Sequence, residues 1–270
     1  MKKQQTSKDK ERLDNYLVRM GYFETKNQAQ AAILSGKVKV NGEVITKAGS
    51  PVKSEINVEI EHMPYVSRGG FKLEKAVREF NIDLKDRICL DIGASTGGFT
   101  DFMLQNGAQK VYAIDVGYGQ LAWKLRNDDR VIVLERTNIK NLKSLEDFAT
   151  FAAVDVSFIS IIKVLESIKS LMDSTQQEIV LLIKPQFEAG REQVPKSGVI
   201  KDKDVHFEVI KKVADFAQGL SLFPVNLTYS PIKGPAGNIE YLLYLSNKCD
   251  CGKIDESQIT EIVNSAHENL

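Results

Sequence analysis

Cysteine, histidine and long apolar runs are scarce in this 270-residue chain, and each scarcity closes a class of function. Three cysteines, Cys89, Cys249 and Cys251, make no disulfide framework, so a reducing compartment, the cytoplasm, is the expected location. Cys249-Asp250-Cys251 has no partnering histidine cluster, and no metal is expected there. No run of 18 apolar residues occurs, which leaves nothing to cross a membrane as a helix. The opening MKKQQTSKDKER is charged with no apolar segment behind it, so no secretory signal is expected. Net charge is also lacking, because 36 Lys/Arg balance 36 Asp/Glu.

That balance hides an asymmetry. Residues 1–53 hold 11 Lys/Arg against 5 Asp/Glu, whereas residues 81–270 hold 21 against 26. A small basic part joined to a mildly acidic large one suggests that the small part faces a polyanion; a merely solvated module would have the same composition. With 43% hydrophobic residues, the length suits one large domain plus a small one.

In the basic part, Leu13, Tyr16, Leu17 and Met20 recur at helical spacing, and Gly21 ends that helix. Ala29, Ala32 and Ile33 mark a second helix that stops at Gly36. VKV and EVI then flank Asn41-Gly42, a turn pair whose residues both tolerate positive φ, so a hairpin is expected. Arg12-Leu13-Asp14, Leu17, Gly21, Ala29, the run from Ile33 through Gly36 and Val38 to Val40-Asn41-Gly42, and Lys47-x-Gly49 together resemble the S4 RNA-binding domain. The resemblance implies a charged leader over 1–10 and a small α+β domain over 11–62, with its second helix and hairpin mouth facing RNA. Arg12, Lys26, Lys37 and Lys39 are then the phosphate-contact candidates. Thr25-Lys26-Asn27 stands where the family usually has Ser-Arg, and lysine lacks the bidentate fork of arginine.

From residue 87 the pattern changes. RICLDI, KVYAID, VIVL, AAVDV and EIVLLIK are continuous apolar runs separated by amphipathic stretches, which indicates a parallel sheet covered on both faces. Ligands bind such sheets at the carboxyl ends of the strands. The first run leads into LDIGASTGGFT, which has two parses. Gly93-Ala94-Ser95-Thr96-Gly97 fits the nucleophile elbow of an α/β-hydrolase. That reading needs an oriented histidine, and only His206, read as lying on the polar flank of a helix, and the C-terminal His267 follow. It also leaves Asp91 without a role.

The other parse is a cofactor loop. Asp115 ends the second run about twenty residues beyond the glycines, where a carboxylate binds ribose hydroxyls, a pattern that serves NAD and S-adenosylmethionine equally well. The loop departs from G-x-G-x-x-G, and D-I-G-A-S-T-G-G-F-T resembles motif I of class I methyltransferases. What this implies is an S-adenosylmethionine pocket with Asp91 at the methionine end. Gly93, Ala94, Ser95, Gly97, Gly98, Phe99 and Thr100 belong to its loop and helix start. Asp115 and Val116 lie at the ribose, and Thr137 and Asn138 near the adenine. Ser95 is then a pocket-lining residue.

Four further stretches carry chemistry: YVSRGGFKLEKA with Lys72, AAVDVSFISI with Asp155, VLLIKPQFEAGREQV with Lys184, and GPAGNIEYLLY with Glu240. Lys184 closes an apolar run before Pro185, where a charge is unfavourable unless paired. Asp155 ends the neighbouring run. These two alone leave a structural ion pair and a catalytic pair equally open. All four resemble the Lys-Asp-Lys-Glu tetrad of FtsJ-like ribose 2′-O-methyltransferases. With the S4 pattern, the Tyr65-Val66-Ser67-Arg68-Gly69-Gly70 junction, Lys184-Pro185-Gln186-Phe187-Glu188 and Gly234-Pro235-Ala236-Gly237-Asn238, the chain resembles the TlyA family, historically labelled haemolysin A. Val156 stands where that family commonly has leucine.

The TlyA resemblance implies an α/β class I (Rossmann-like) methyltransferase domain over 71–270, joined by a linker at 63–70 to the S4 domain. It implies S-adenosylmethionine-dependent 2′-O-methylation of cytidine in small-subunit RNA, large-subunit RNA or both, with ribosomal RNA or subunits as partner and neither metal nor membrane required. Lys184 is the expected partner of the 2′-oxygen and Asp155 its anchor. Lys72 supplies a second cation, and Glu240 orients it. Arg68 is an RNA contact in the junction. Two competing classes are an RNA-binding adaptor with an inactive methyltransferase fold and a membrane-active haemolysin; no insertion segment or alternating barrel strands support the latter.

Overall fold

The computed structural model describes residues 10–53, 55–60, 63–248 and 254–270. Cys249, Asp250, Cys251 and nearly all of the leader lie outside the described residues. The chain divides after Pro64 into two compact units.

In the first unit, strand β1 (Glu11–Arg12) leads into helix α1 (Leu13–Arg19), and helix α2 (Lys26–Leu34) follows. Thr25 starts α2 with a reciprocal cap: its hydroxyl accepts from Gln28 N–H, and the Gln28 side chain accepts from Thr25 N–H. Strands β2 (Val38–Val40) and β3 (Glu43–Val44) form the expected hairpin, with Asn41 at φ 52° and Gly42 at φ 85°. After β4 (Pro51–Val52), which pairs with β1, strand β5 (Val58–Ile60) flanks β2 on its other side. Leu13, Tyr16, Leu17, Ala29, Ile33, Val38 and Val52 make the core. Met20, expected on the same apolar face, is instead 50% exposed. It caps the helix, and Gly21 at φ 78° turns the chain away before another helical turn can bury it.

The second unit begins at Tyr65. Residues 65–70, expected within a linker, pack into this unit instead. The Tyr65 ring meets Phe71 and Phe102 edge-on, and Val66 N–H donates to Asp101 at 2.8 Å. Helix α3 (Gly69–Glu79) then precedes β6 (Ile88–Ile92), α4 (Gly98–Gln105), β7 (Lys110–Ile114), α5 (Trp123–Arg126) and β8 (Val131–Leu134). The chain crosses back to β9 (Phe151–Val154), α6 (Ile162–Ser170), β10 (Glu178–Ile183), α7 (Pro185–Glu188) and α8 (Lys203–Gly219). It closes with β11 (Phe223–Tyr229), β12 (Tyr241–Ser246) and α9 (Glu256–Asn269).

Sheet order is β11-β12-β10-β9-β6-β7-β8, with β12 antiparallel to both neighbours and β10, β9, β6, β7 and β8 parallel. Alternation explains the layers. Leu90, Ile92, Val154 and Leu181 face the side packed by α6, α8 and α9, while Cys89, Val111, Phe151 and Val180 face α3 and α4. Because β6 runs on to β7 on one side and β9 lies on the other, the carboxyl ends of β6 and β9 form the switch point where a crevice opens. His206 is a correction. It lies fully buried in α8, with one ring nitrogen 2.7 Å from Tyr241 Oη and the other 3.2 Å from the Ile200 carbonyl.

Candidate active site

Two cavities open at that switch point, both within the second unit. The larger, about 490 Å³, is lined by Gly93, Ser95, Asp115, Val116, Thr137 and Asn138 among others. The smaller, about 230 Å³, is lined by Arg68, Lys72, Asp91, Ala94, Gly98 and Phe99 among others. Gly93, Ser95 and Asp155 border both.

Close approach dictates the loop. Gly93 leaves β6 at φ 87°, and a Cβ there would stand 2.5 Å from the Asp155 carbonyl oxygen. Only glycine lets the ends of β6 and β9 meet so closely. Ser95 also adopts positive φ, 48°, and its N–H donates to Asp115 Oδ2 at 2.7 Å. The other Asp115 oxygen accepts from Gly117 N–H at 2.6 Å, so this carboxylate ties the glycine loop to the loop after β7. The Ser95 hydroxyl pairs with Gln120 Oε1 at 3.3 Å, and His206 and His267 pair with each other at 3.1 Å. Among the described residues the hydrolase parse finds no histidine base for Ser95.

Asp91 is 1% exposed. Its Oδ2 accepts from Thr100 N–H (2.8 Å) and Thr100 Oγ1–H (2.6 Å), whereas its Oδ1 is buried with no partner among the described residues. Burial pushes this carboxyl up to about 7 against the lowering effect of Thr100, with Asp155 and Asp115 adding to the rise. Thr100 therefore acts behind Asp91 and lines neither cavity. Gly97 does not line them either; a Cβ there would meet Leu125 and Leu121. Asn138 lines the larger cavity while its Oδ1 caps the next turn at Lys140 N–H.

The four expected catalytic side chains converge as two ion pairs. Lys72, in the first turn of α3, donates to Glu240 Oε2 at 2.7 Å. Lys184, at the end of β10, lies 2.5 Å from Asp155 Oδ1 and donates to Ser157 Oγ at 2.8 Å. Both lysines are 7% exposed. Burial raises the Glu240 carboxyl, Lys72 and then Lys184 pull it down, and Asp155 pushes it up, so the two pairs feel each other. Lys72 and Asp155 border the smaller cavity, whereas Lys184 and Glu240, each paired with one of them, line neither cavity. Ser157, Gln120 and the 91% exposed Phe158, which packs against Phe187, were not singled out from sequence. Their signal was small: a serine two residues after Asp155 carries no distinctive spacing.

Lys26, Lys37 and Lys39 lie in the first unit on α2, before β2 and on β2, and Arg12 ends β1. Arg68 lies in the second unit, exposed at the start of α3. Among the described residues, no three His, Cys, Asp or Glu side chains gather as a metal site would, and no helix is long and apolar enough to cross a membrane.

Both units have relatives among known proteins. The FtsJ-like methyltransferase family matches residues 65–247, and the S4 domain matches residues 11–56. YqxC of Bacillus subtilis, named as a candidate rRNA methyltransferase, is 45% identical over 98% of this chain and 96% of its own. The 16S/23S rRNA (cytidine-2′-O)-methyltransferase TlyA of Mycobacterium tuberculosis is 42% identical over 88% of this chain and 91% of its own. A solved structure of a candidate hemolysin from Streptococcus thermophilus superposes with a TM-score of 0.76 at 42% identity, covering 97% of this chain and 98% of that one. With FtsJ-like and S4 matches that together span most of the residues and relatives 42–45% identical over most of its length, the chain belongs to the TlyA family of FtsJ-like methyltransferases.

Proposed function

We propose that this chain transfers a methyl group from S-adenosylmethionine to the 2′-oxygen of a cytidine in ribosomal RNA of the small subunit, the large subunit or both, in the cytoplasm. The observation that carries the reading is the convergence of Lys72–Glu240 and Lys184–Asp155 beside a cavity floored by Asp91. Cytidine and ribosomal RNA come from the names of the relatives.

The residues fit the cofactor. Asp91 Oδ1 is a buried acceptor with no partner among the described residues, suited to the ammonium of a methionine moiety. Asp115, Thr137 and Asn138 offer polar groups in the larger cavity for ribose and adenine, beside apolar Ile114, Val116 and Ile139. S-adenosylmethionine, when bound, supplies an already activated sulfonium methyl. The protein's task is then mainly alignment, because a ribose hydroxyl is a poor nucleophile that gains most from being held in line. Lys184 is paired in charge with Asp155 and donates to Ser157 Oγ, which fixes its ammonium, and its remaining donor capacity serves the acceptor oxygen. The hydroxyl proton passes to the Asp155 carboxylate, which borders both cavities, the Lys184 ammonium stabilises the charge growing on oxygen, and Lys72, fixed by Glu240, adds positive potential.

The test is methyl incorporation from labelled S-adenosylmethionine into unmodified ribosomal RNA, with the modified nucleotide mapped and Lys184→Ala as control. Cofactor binding without incorporation into either subunit's RNA would favour the adaptor reading. The hemolysin name of one relative, from Brachyspira hyodysenteriae, motivates a leakage assay on lipid vesicles, in which no release is expected.

A further inference from the structure

One buried carboxylate in the first unit gathers groups that the phosphate-contact reading leaves unconnected. Asp14 is 0% exposed. Arg12 donates to it through Nε (3.0 Å, to Oδ1) and Nη2 (2.7 Å, to Oδ2), a two-pronged pair. Gln30 Nε2 donates to Oδ2 at 2.8 Å, and Asn15 N–H donates to Oδ1 at 2.9 Å. Lys26 Nζ stands 3.8 Å from Oδ2. These donors, Arg12 first, hold the carboxyl well below the usual range despite its burial, so it is an anion. The turn after Lys47 completes the arrangement. Asp14 N–H donates to the Ala48 carbonyl at 3.1 Å, and a Cβ on Gly49 would stand 2.9 Å from Arg12 Nη1 and 3.3 Å from its Cζ. The guanidinium lies across a residue that has no side chain to displace it.

β1, α2 and the turn therefore meet at one point, and two cations of different elements share one anion. Their outer faces stay wet: the Arg12 and Lys26 side chains are 51% and 49% exposed. Arg12 keeps Nη1 outside its pair with Asp14, and Lys26 keeps its strongly hydrated ammonium. Two positive charges around one buried negative leave the cluster net cationic. Long cationic side chains ordinarily lose rotamer freedom when they grip a phosphate; here that loss is incurred on folding, before RNA arrives.

We propose that Asp14, together with Gly49, is the positioning element that holds Arg12 and Lys26 as a preformed clamp for an RNA phosphate. The proposal rests on the first unit being the RNA-binding part. It makes a prediction of unusual sign: simple charge counting says that removing an anion strengthens binding to a polyanion, whereas loss of a clamp weakens it.

The test uses the full chain and unmodified large-subunit ribosomal RNA, with affinity measured across a salt series and folding checked by circular dichroism. Asp14→Asn is expected to weaken binding about tenfold and to flatten the slope of log affinity on log salt by about 0.7–0.9, one phosphate contact. Gly49→Ala, which changes no charge, is expected to act in the same direction, and it decides the matter if Asp14→Asn does not fold. A purely structural Asp14 lowers the melting temperature and leaves the salt slope alone, which would overturn the proposal, as would folded Asp14→Asn binding RNA as tightly as the parent or more so. The double variant Arg12→Ala, Lys26→Ala separates the two levels. If it binds RNA like the parent, the phosphate-contact reading and the clamp fall together. If it loses RNA while Asp14→Asn and Gly49→Ala do not, only the clamp falls.

Discussion

Lys184 Nζ lies 2.5 Å from Asp155 Oδ1 across the tips of the adjacent parallel strands β10 and β9. Lys184→Ala removes the group proposed to hold the acceptor oxygen, while the cofactor cavities keep their walls. Methyl transfer is expected to fall by about two to four orders of magnitude with cofactor affinity nearly unchanged, read by single-turnover methylation and calorimetry. Unchanged rates in Lys184→Ala would remove the lysine from the chemistry.

Asp115→Ala is expected to do the reverse. Its carboxylate receives Ser95 N–H and Gly117 N–H and faces the larger cavity, so the substitution strands two donors and loosens both loops. A loss of about 1–3 kcal/mol in S-adenosylmethionine affinity is expected. Ser95→Ala, which removes only a hydroxyl paired with Gln120, should change affinity and rate little. An inactive Ser95→Ala with normal cofactor binding would revive a nucleophilic serine.

Cofactor affinity should depend on pH through Asp91. Burial pushes its carboxyl up to about 7, and an ammonium at Oδ1 favours the ionised form. Below that pH, binding must expel a proton, so affinity is expected to fall roughly tenfold per unit as pH drops from about 7. Asp91→Asn should bind weakly and lose the dependence. A flat affinity between pH 5 and about 8 in the parent would contradict this placement.

Stability at acid pH should report His206. Burial lowers its pKa from 6.5 to about 4, with His267 adding to the shift. The unfolded chain takes up the proton first, so this group's contribution is complete above about 6.5 and lost as pH falls towards 4. Asp91, with a raised value, acts oppositely in the same window: its contribution is present at low pH and lost as pH rises. The difference between the parent and His206→Gln isolates the histidine. Melting temperatures of the two should converge as pH falls from about 6.5.

The boundary between the units is testable by truncation. Residues 65–270 should fold and bind S-adenosylmethionine without tight RNA binding, because both cavities lie in this unit. Starting at 71 instead removes Tyr65 from against Phe71 and Phe102. A loss of about 3–5 kcal/mol is expected by denaturant unfolding, the range for deleting a buried aromatic side chain.

Local and periodic information made most of this protein legible from its residues. The Asn41-Gly42 turn, the α2 cap at Thr25 and five apolar strands depend on neighbours a few positions away, and they lie where the pattern puts them. Lys184 was conspicuous because a charge ending a buried strand needs a partner, and Asp155 was its neighbour in strand order. What escaped depends on contacts between distant segments. Met20 has helical spacing but falls past a short helix; Tyr65 reads as linker but fills a gap beside α4; and His206 has charged neighbours in sequence but faces Tyr241 and His267. Nothing local marks Asp14 as a buried anion, since Gln30 and Gly49 reach it only once α2 and the turn are folded. Periodicity determines which face of an element is apolar; which polar groups must share the interior is decided only when the chain closes and each buried charge requires a partner.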